Sequence, residues 1–95
     1  MNAVLRQYTG ASALIDQLAR KHQDVQALLE SIPGFLAYYA VRASDNLTTV
    51  TVCESQEGAE ESTKRAAAWI KENLPGLTMA APRVTEGDVF ISFSS

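Results

Sequence analysis

The sequence contains very few of the side chains that bind metals or form disulfides. Its 95 residues include one cysteine, Cys53, and one histidine, His22. A single cysteine excludes an intrachain disulfide and a zinc site built on cysteines. The histidine has no paired acidic residues on its predicted helix face, so we predict that the protein binds no metal.

Basic residues are outnumbered, and long apolar runs are missing. Eight Lys and Arg residues against eleven Asp and Glu give a net charge of −3, which argues against binding to nucleic-acid phosphates. The longest uninterrupted apolar run is Phe35–Val41, whereas a helix needs about 20 residues to cross a bilayer. The N-terminus also lacks the apolar core of a signal peptide. We therefore expect a cytoplasmic protein with neither a nucleic-acid partner nor a membrane partner.

The remaining composition is that of a small globular protein. The chain is 46% apolar and 20% charged, which is ordinary for a folded domain. A chain of this length buries only about two-thirds of its extended surface on folding, which leaves too little for two cores. We predict one domain over residues 1–95.

Two segments carry the periodicity of amphipathic helices. The first is predicted from about Ala13 to Ser31, with Ser12 as N-cap and Pro33-Gly34 as its end. Its apolar stripe repeats at a period near 3.6 and comprises Ile15, Leu18, Val25, Leu29 and Ile32. The second helix follows Ser55 as N-cap and stops at Leu74-Pro75-Gly76. Its inward stripe comprises Ala59, Thr63, Ala66, Ala67, Ile70 and Leu74.

Four strands are predicted around these helices. Ala3 to Tyr8 is the first, and Phe35–Ala43 and Leu47–Glu54 form an antiparallel hairpin whose loop has three residues or slightly more. The last strand has two parts, Arg83–Thr85 and Val89–Phe93, which Glu86-Gly87-Asp88 interrupts as a bulge or a turn. The order β-α-β-β-α-β predicts a ferredoxin-like α+β fold, in which two helices cover one face of a four-stranded antiparallel sheet.

The second strand is apolar on both faces. Phe35, Ala37, Tyr39 and Val41 share one face, and Leu36, Tyr38 and Ala40 share the other. Two helices cover only one face of the sheet, so the other face requires another chain. We therefore predict a homodimer through the sheet faces, which makes the assembly a dimeric α+β barrel.

Four residues are candidates for lining a ligand pocket between the helices and the sheet. His22 lies between Leu18 and Val25 on the predicted inward stripe. It is a candidate acid/base group or hydrogen-bond donor of the pocket, and the alternative is a core-edge histidine bonded to a backbone carbonyl or water. Tyr38 and Tyr39 face opposite sides of their strand, so one lies under the helices and the other at the sheet-to-sheet interface. Trp69 lies about 110° from the centre of its helix stripe, at a pocket rim or a helix edge. Cys53 has no basic neighbour in sequence and is assigned to the core.

The sequence resembles the antibiotic-biosynthesis-monooxygenase-like family of dimeric α+β barrels. The resemblance rests on the segment Ile32–Tyr38 between the first helix and the hairpin, and on Cys53-Glu54-Ser55 where the hairpin meets the second helix. It implies a homodimer and, for some members, cofactor-free oxidation of polyphenols or quinols in a pocket between sheet and helices. Other members degrade haem with an Asn on the first strand and a Trp and a His on the second helix.

Haem degradation is disfavoured by the residues at the matching positions. The first strand offers Arg6 and Gln7 in place of Asn, and the second helix offers Ser62 in place of Trp and Glu72 in place of His. Two functions from different classes therefore stay open. One is a monooxygenase-like enzyme that needs no cofactor and oxidises an aromatic or quinol compound. The other is a non-catalytic small-molecule-binding or structural module on the same scaffold.

Overall fold

The computed structural model describes residues 1–76 and 80–95. It contains four strands and three helices: β1 (Asn2–Tyr8), α1 (Ser12–Arg20), α2 (His22–Glu30), β2 (Phe35–Ala43), β3 (Asn46–Cys53), α3 (Gln56–Asn73) and β4 (Arg83–Asp88). The sheet order is β2-β3-β1-β4, and every neighbouring pair is antiparallel. The ferredoxin-like α+β fold is confirmed.

The helices lie on one face of the sheet, and alternation along each strand sorts the side chains between the two faces. The residues of β1 and β3 that face the helices are buried: Val4, Arg6, Tyr8, Leu47, Thr49, Thr51 and Cys53. The other face, here called the open face, carries Leu5, Tyr39, Val41, Val50 and Val52. Leu5, Tyr39 and Val41 are exposed there, so the apolar second face predicted for β2 is present and is not covered by the described helices.

The core lies between the helices and the sheet in two clusters. Tyr8, Leu14 and Leu47 form the first, and Val25, Leu29 and Ile32 form the second. Leu18 and Trp69 pack against both clusters, so they join the two halves of the core. Within the described residues, no helix is long and apolar enough to span a membrane.

The prediction of a single first helix from Ala13 to Ser31 is wrong, because the helix is interrupted at Lys21. Lys21 has φ −114° and ψ 28° and separates two helices of nine residues each. Between Leu18 and Val25 the sequence has only Ala19 as an apolar residue. Few buried side chains therefore hold this stretch against the sheet as one continuous helix. The predicted N-cap is also wrong: Ala11, and not Ser12, is the N-cap of α1, with no side-chain cap bond.

The predicted loop of the hairpin differs from the structure. The β2–β3 loop was expected to have three residues or more, but Ala43 pairs with Asn46, which leaves the two-residue turn Ser44-Asp45. Ser44 adopts φ +60°, a conformation that lets the hairpin turn this tightly.

The last strand is also shorter and more regular than predicted. Glu86-Gly87-Asp88 is neither a bulge nor a turn, since all three residues pair in register with β1. Val89–Phe93 is not a strand of this sheet, because the ladder ends where Asp88 meets Asn2 at the start of β1. The segment beyond it leaves Phe90 86% and Phe93 91% exposed.

Candidate functional site

A buried arginine stands between the sheet and α3. Arg6 is 2% exposed because it shares the helix-facing side of β1 with Val4 and Tyr8. Its guanidinium donates to Ser62 Oγ at 2.6 Å and to Thr63 Oγ1 at 3.0 Å, both on α3. On β3 it reaches Thr51 Oγ1 at 3.1 Å and, less closely, Thr49 Oγ1 at 3.5 Å. Among the described residues, every acceptor of this side chain is a neutral hydroxyl.

No carboxylate neutralises this charge at short range. Within residues 1–76 and 80–95, the salt bridge found at 4.0 Å or less joins Arg65 to Glu61 on α3, away from Arg6. Burial lowers the pKa of Arg6, while Tyr8, Tyr38, Cys53 and Glu86 act in the opposite direction. An arginine remains protonated in a protein regardless of such a shift. The site therefore holds a permanent, desolvated positive charge, which is costly without an anion.

A small inner cavity lies directly beside Arg6. Its volume is about 40 Å³, and it is bounded by the sheet on one side and by all three helices on the other. Its polar lining comes from Arg6, Thr49 and the phenols Tyr8 and Tyr38, and Trp69 closes it from α3. The rest of the wall is aliphatic. An apolar cavity bordered by a few polar residues resembles a ligand site, although its volume is well below the roughly 300–1,000 Å³ of typical pockets.

An outer cleft of about 270 Å³ adjoins the inner cavity along α2 and the edge strand β2. The two spaces share the walls formed by Leu18, Val25, Leu29 and Tyr38. His22 and Phe35 line the outer cleft and not the inner cavity. The two spaces therefore adjoin at these four shared side chains, with Arg6 on the inner side and His22 on the outer side.

The two phenols of the inner cavity are held in their neutral form. Burial raises the pKa of Tyr38 to about 12, with Arg6 acting against that rise. Burial raises the pKa of Tyr8 as well. Both hydroxyls are therefore hydrogen-bond donors at neutral pH. Neither makes a side-chain hydrogen bond inside residues 1–76 and 80–95, and neither oxygen is a fully buried atom without a partner.

The structure brings together some of the residues singled out from the sequence. Tyr38 faces the helices while Tyr39 is 62% exposed on the open face, so their predicted alternation is confirmed. Tyr38 and Trp69 line the inner cavity, and Tyr38 and His22 line the outer cleft. Tyr39 lines neither space. The use of these residues in binding stays a prediction.

The predicted position of His22 on the inward stripe is wrong. Because α2 starts at His22 after the break at Lys21, the side chain is exposed at the rim of the outer cleft. Its Nδ1 lies 3.2 Å from the carbonyl oxygen of Ala19. That contact matches the alternative in which a backbone carbonyl satisfies the histidine.

Arg6 was not singled out as a site residue, although the sequence contains a signal for it. Strand alternation in β1 places Arg6 on the same face as the apolar residues Val4 and Tyr8. The alternation therefore predicts a basic side chain on the helix-facing side of the sheet. Arg6 also bonds to Ser62, which means that two of the positions compared with the haem-degrading proteins are in direct contact here.

The cysteine and the acidic residues add no further chemistry. Cys53 is fully buried, as predicted, and burial raises the pKa of its thiol, which makes it a poor nucleophile. No group of three or more His, Cys, Asp or Glu side chains within residues 1–76 and 80–95 is arranged to hold a metal ion.

Comparison with known proteins gives a likeness in structure and none in sequence. No protein-family model and no curated protein matches the chain. The haem-degrading protein MhuD from Mycobacterium tuberculosis is 16% identical, with a TM-score of 0.68 over 99% of this chain and 100% of its own. The ActVA-Orf6 monooxygenase from Streptomyces coelicolor, solved with nanaomycin D, is 18% identical, with a TM-score of 0.66 over 99% of this chain and 90% of its own.

A third structure is similar to the same extent. A dimeric ferredoxin-like protein from an uncultured marine organism is 15% identical, with a TM-score of 0.69 over 99% of this chain and 97% of its own. At such identities these are likenesses of fold. The chain has the ferredoxin-like fold of the antibiotic-biosynthesis-monooxygenase-like proteins, as its sequence resemblance implied.

Proposed function

We propose that the protein binds a small aromatic compound in the outer cleft and inner cavity and oxidises it with O₂ without a cofactor. One observation carries the proposal: an apolar outer cleft adjoins an inner cavity under the helices, and the lining of that cavity includes Arg6, Tyr8 and Tyr38. The scaffold is monooxygenase-like, since its structural neighbours include a monooxygenase. No residue is assigned as catalytic.

The chemistry needs little from the protein. A phenol with a free ring position reacts with one O₂ to give a quinone and one water, so the substrate supplies the electrons, one oxygen atom enters the ring, and the other leaves as water. The protein has to bind, orient and deprotonate the phenol. His22, at the rim of the outer cleft, is proposed as a residue that contacts the bound phenol.

We further propose that the protein acts as a homodimer through the open face. Two apolar features of the single chain support this: the exposed side chains of β2 on that face, and the exposed Phe90, Ile91 and Phe93 after β4. A similar structure is described as dimeric. A second copy would cover the face with side chains of matching character.

The alternative function is a non-catalytic binding or structural module on the same scaffold. The observation that favours it is the small volume of the inner cavity, about 40 Å³, which leaves the core nearly filled around Arg6. In that case the hydroxyls around Arg6 serve only to satisfy a buried cation.

Oxygen consumption separates the two functions. Purified protein, checked to be free of metal and flavin, is mixed with a series of quinols and phenols while dissolved O₂ and quinone formation are followed. We expect O₂ consumption to depend on the protein. It should fall in Trp69→Ala, which changes the cavity wall, and persist in Tyr39→Phe, which changes the open face. A full set of quinols that shows no protein-dependent consumption, while binding is detected, would favour the non-catalytic module.

A further inference from the structure

The guanidinium of Arg6 has one under-used donor, and Arg6 lines the inner cavity. Nε and Nη2 bond to hydroxyls of α3 at 2.6 to 3.3 Å, and Nη1 bonds to Thr51 at 3.1 Å. The remaining contact, from Nη1 to Thr49 Oγ1, is 3.5 Å long, beyond the usual range for N–H···O bonds. Thr49 and Arg6 both line the inner cavity, so this long contact joins two residues of its wall.

Two further donors belong to the same wall. The neutral hydroxyls of Tyr8 and Tyr38 line the cavity beside Arg6 and lack side-chain partners among the described residues. Glu86 is the acidic group that acts on Arg6, but it lies on the exposed strand β4 and beyond salt-bridge distance. The inner cavity therefore offers one positive charge and several donors, with no anionic group in its lining.

We propose that this site selects aromatic ligands that carry an oxyanion, a carboxylate or an ionised phenol, whose anionic oxygens enter the inner cavity against Arg6 while the ring lies in the outer cleft. The volumes fit this division, since about 40 Å³ admits a charged oxygen group and not a ring, and about 270 Å³ beside it admits a ring. Arg6 is then a specificity-determining residue. The inference rests on the proposed function, because it assigns a ligand class to the same cavity.

The discriminating experiment uses ligands of equal shape and different charge. Benzoate and its neutral counterpart benzamide are titrated into the full chain at neutral pH, by calorimetry and by the fluorescence of Trp69, the single tryptophan, which lines the inner cavity. We expect benzoate to bind about tenfold more tightly or better, because charge-assisted hydrogen bonds are the stronger ones. Equal or tighter binding of benzamide would overturn the inference and leave the proposed function standing. If neither ligand binds, both the inference and the proposed function fall.

Variants then assign the preference to Arg6. In Arg6→Met the benzoate-to-benzamide ratio should fall to about one, while Arg20→Met, which removes an exposed arginine on α1, should leave it unchanged. Circular dichroism checks the fold of each variant. If Arg6→Met does not fold, the benzoate-to-benzamide ratio of the wild type still decides the charge preference. Thr49→Val then tests whether the anion binds at Nη1 of Arg6. This variant leaves the guanidinium in place and removes one acceptor of Nη1, so benzoate should bind at least as tightly as before. Loss of the preference in Arg20→Met, or its retention in Arg6→Met, would overturn the assignment.

A second probe distinguishes the two sources of oxyanion. 4-Nitrophenol changes colour on ionisation, and a site that favours its anion lowers the pKa of the bound dye. A lowered pKa with a weak benzoate preference assigns the site to ionised phenols, and the reverse result assigns it to carboxylates. Either result supports an oxyanion site. The absence of any benzoate preference contradicts it, whatever the pKa of the bound dye.

Discussion

Arg6 Nη2 lies 2.6 Å from Ser62 Oγ, although the two residues are 56 positions apart and both are almost fully buried. The bond joins the centre of β1 to the second turn of α3. Ser62 also donates its own proton to the carbonyl oxygen of Ala59 at 2.6 Å, which leaves its lone pairs for the guanidinium. The contact therefore both holds α3 on the sheet and keeps the positive charge beside the inner cavity.

We predict that Ser62→Ala destabilises the protein by about 1.5–3 kcal/mol, the range for hydrogen bonds to charged groups, because a buried guanidinium donor loses its acceptor. Ser31→Ala is the matched control, since Ser31 accepts from Arg65 in an exposed pair of the same chemical type. Its cost should stay below about 0.5 kcal/mol. Urea unfolding of both variants measures the difference. Equal costs would mean that burial adds nothing to the Arg6–Ser62 bond.

Two serines that looked alike in the sequence should differ in their effect on stability. Ser55 caps α3, and its Oγ accepts from the backbone N–H of Gly58 at 3.2 Å. Ser12 is the first residue of α1 and makes no cap bond. We expect Ser55→Ala to cost about 1 kcal/mol and Ser12→Ala to be nearly neutral. Thermal melts of the two variants test this, and a larger loss in Ser12→Ala would contradict the assignment of caps.

The comparison of Ser12 with Ser55 shows which features a sequence predicts. Strand alternation and helix stripes depend on neighbours in the chain, so the opposed faces of Tyr38 and Tyr39 and the order of the elements follow from local pattern alone. The exact start of a helix depends on what the segment packs against. The break at Lys21 could not be predicted from periodicity, because the stripe continues on both sides of it, and it moved His22 from the predicted core to the cleft rim.

The candidate site shows the same limit. The phase of β1 places Arg6 inward, but only the assembled sheet brings Thr49 and Thr51 beside it, and only α3 adds Ser62 and Thr63. The end of β4 is likewise set by the length of its neighbour, because the ladder stops at the first residue of β1. Val89–Phe93 has the composition of a strand and no partner strand within the described chain.

Tyr38 should make the protein less stable at high pH. Its pKa is raised from 10.0 to about 12 by burial, so above pH 10 the unfolded chain loses this proton while the folded chain still holds it. The contribution of this hydroxyl to the free energy of unfolding is fully present below pH 10 and is lost as the pH rises toward 12. We expect Tyr38→Phe to flatten that decline in unfolding experiments from pH 8 to 12. Tyr39→Phe, on the open face, is the control, and an equal flattening there would contradict the assignment to Tyr38.

The last prediction concerns the homodimer. Val41 on β2 is 55% exposed and faces the open side of the sheet, whereas Val84 on β4 is 46% exposed and pairs with Arg6 on the helix side. The two valines match in type and exposure and differ in face. In a homodimer through the open face, Val41→Glu would bring two desolvated carboxylates into the interface, so we expect the assembly to dissociate at micromolar concentration. Val84→Glu should remain dimeric. Sedimentation of both variants and the wild type tests this, and a monomeric wild type, or dissociation in Val84→Glu alone, would rule out the open face as the interface.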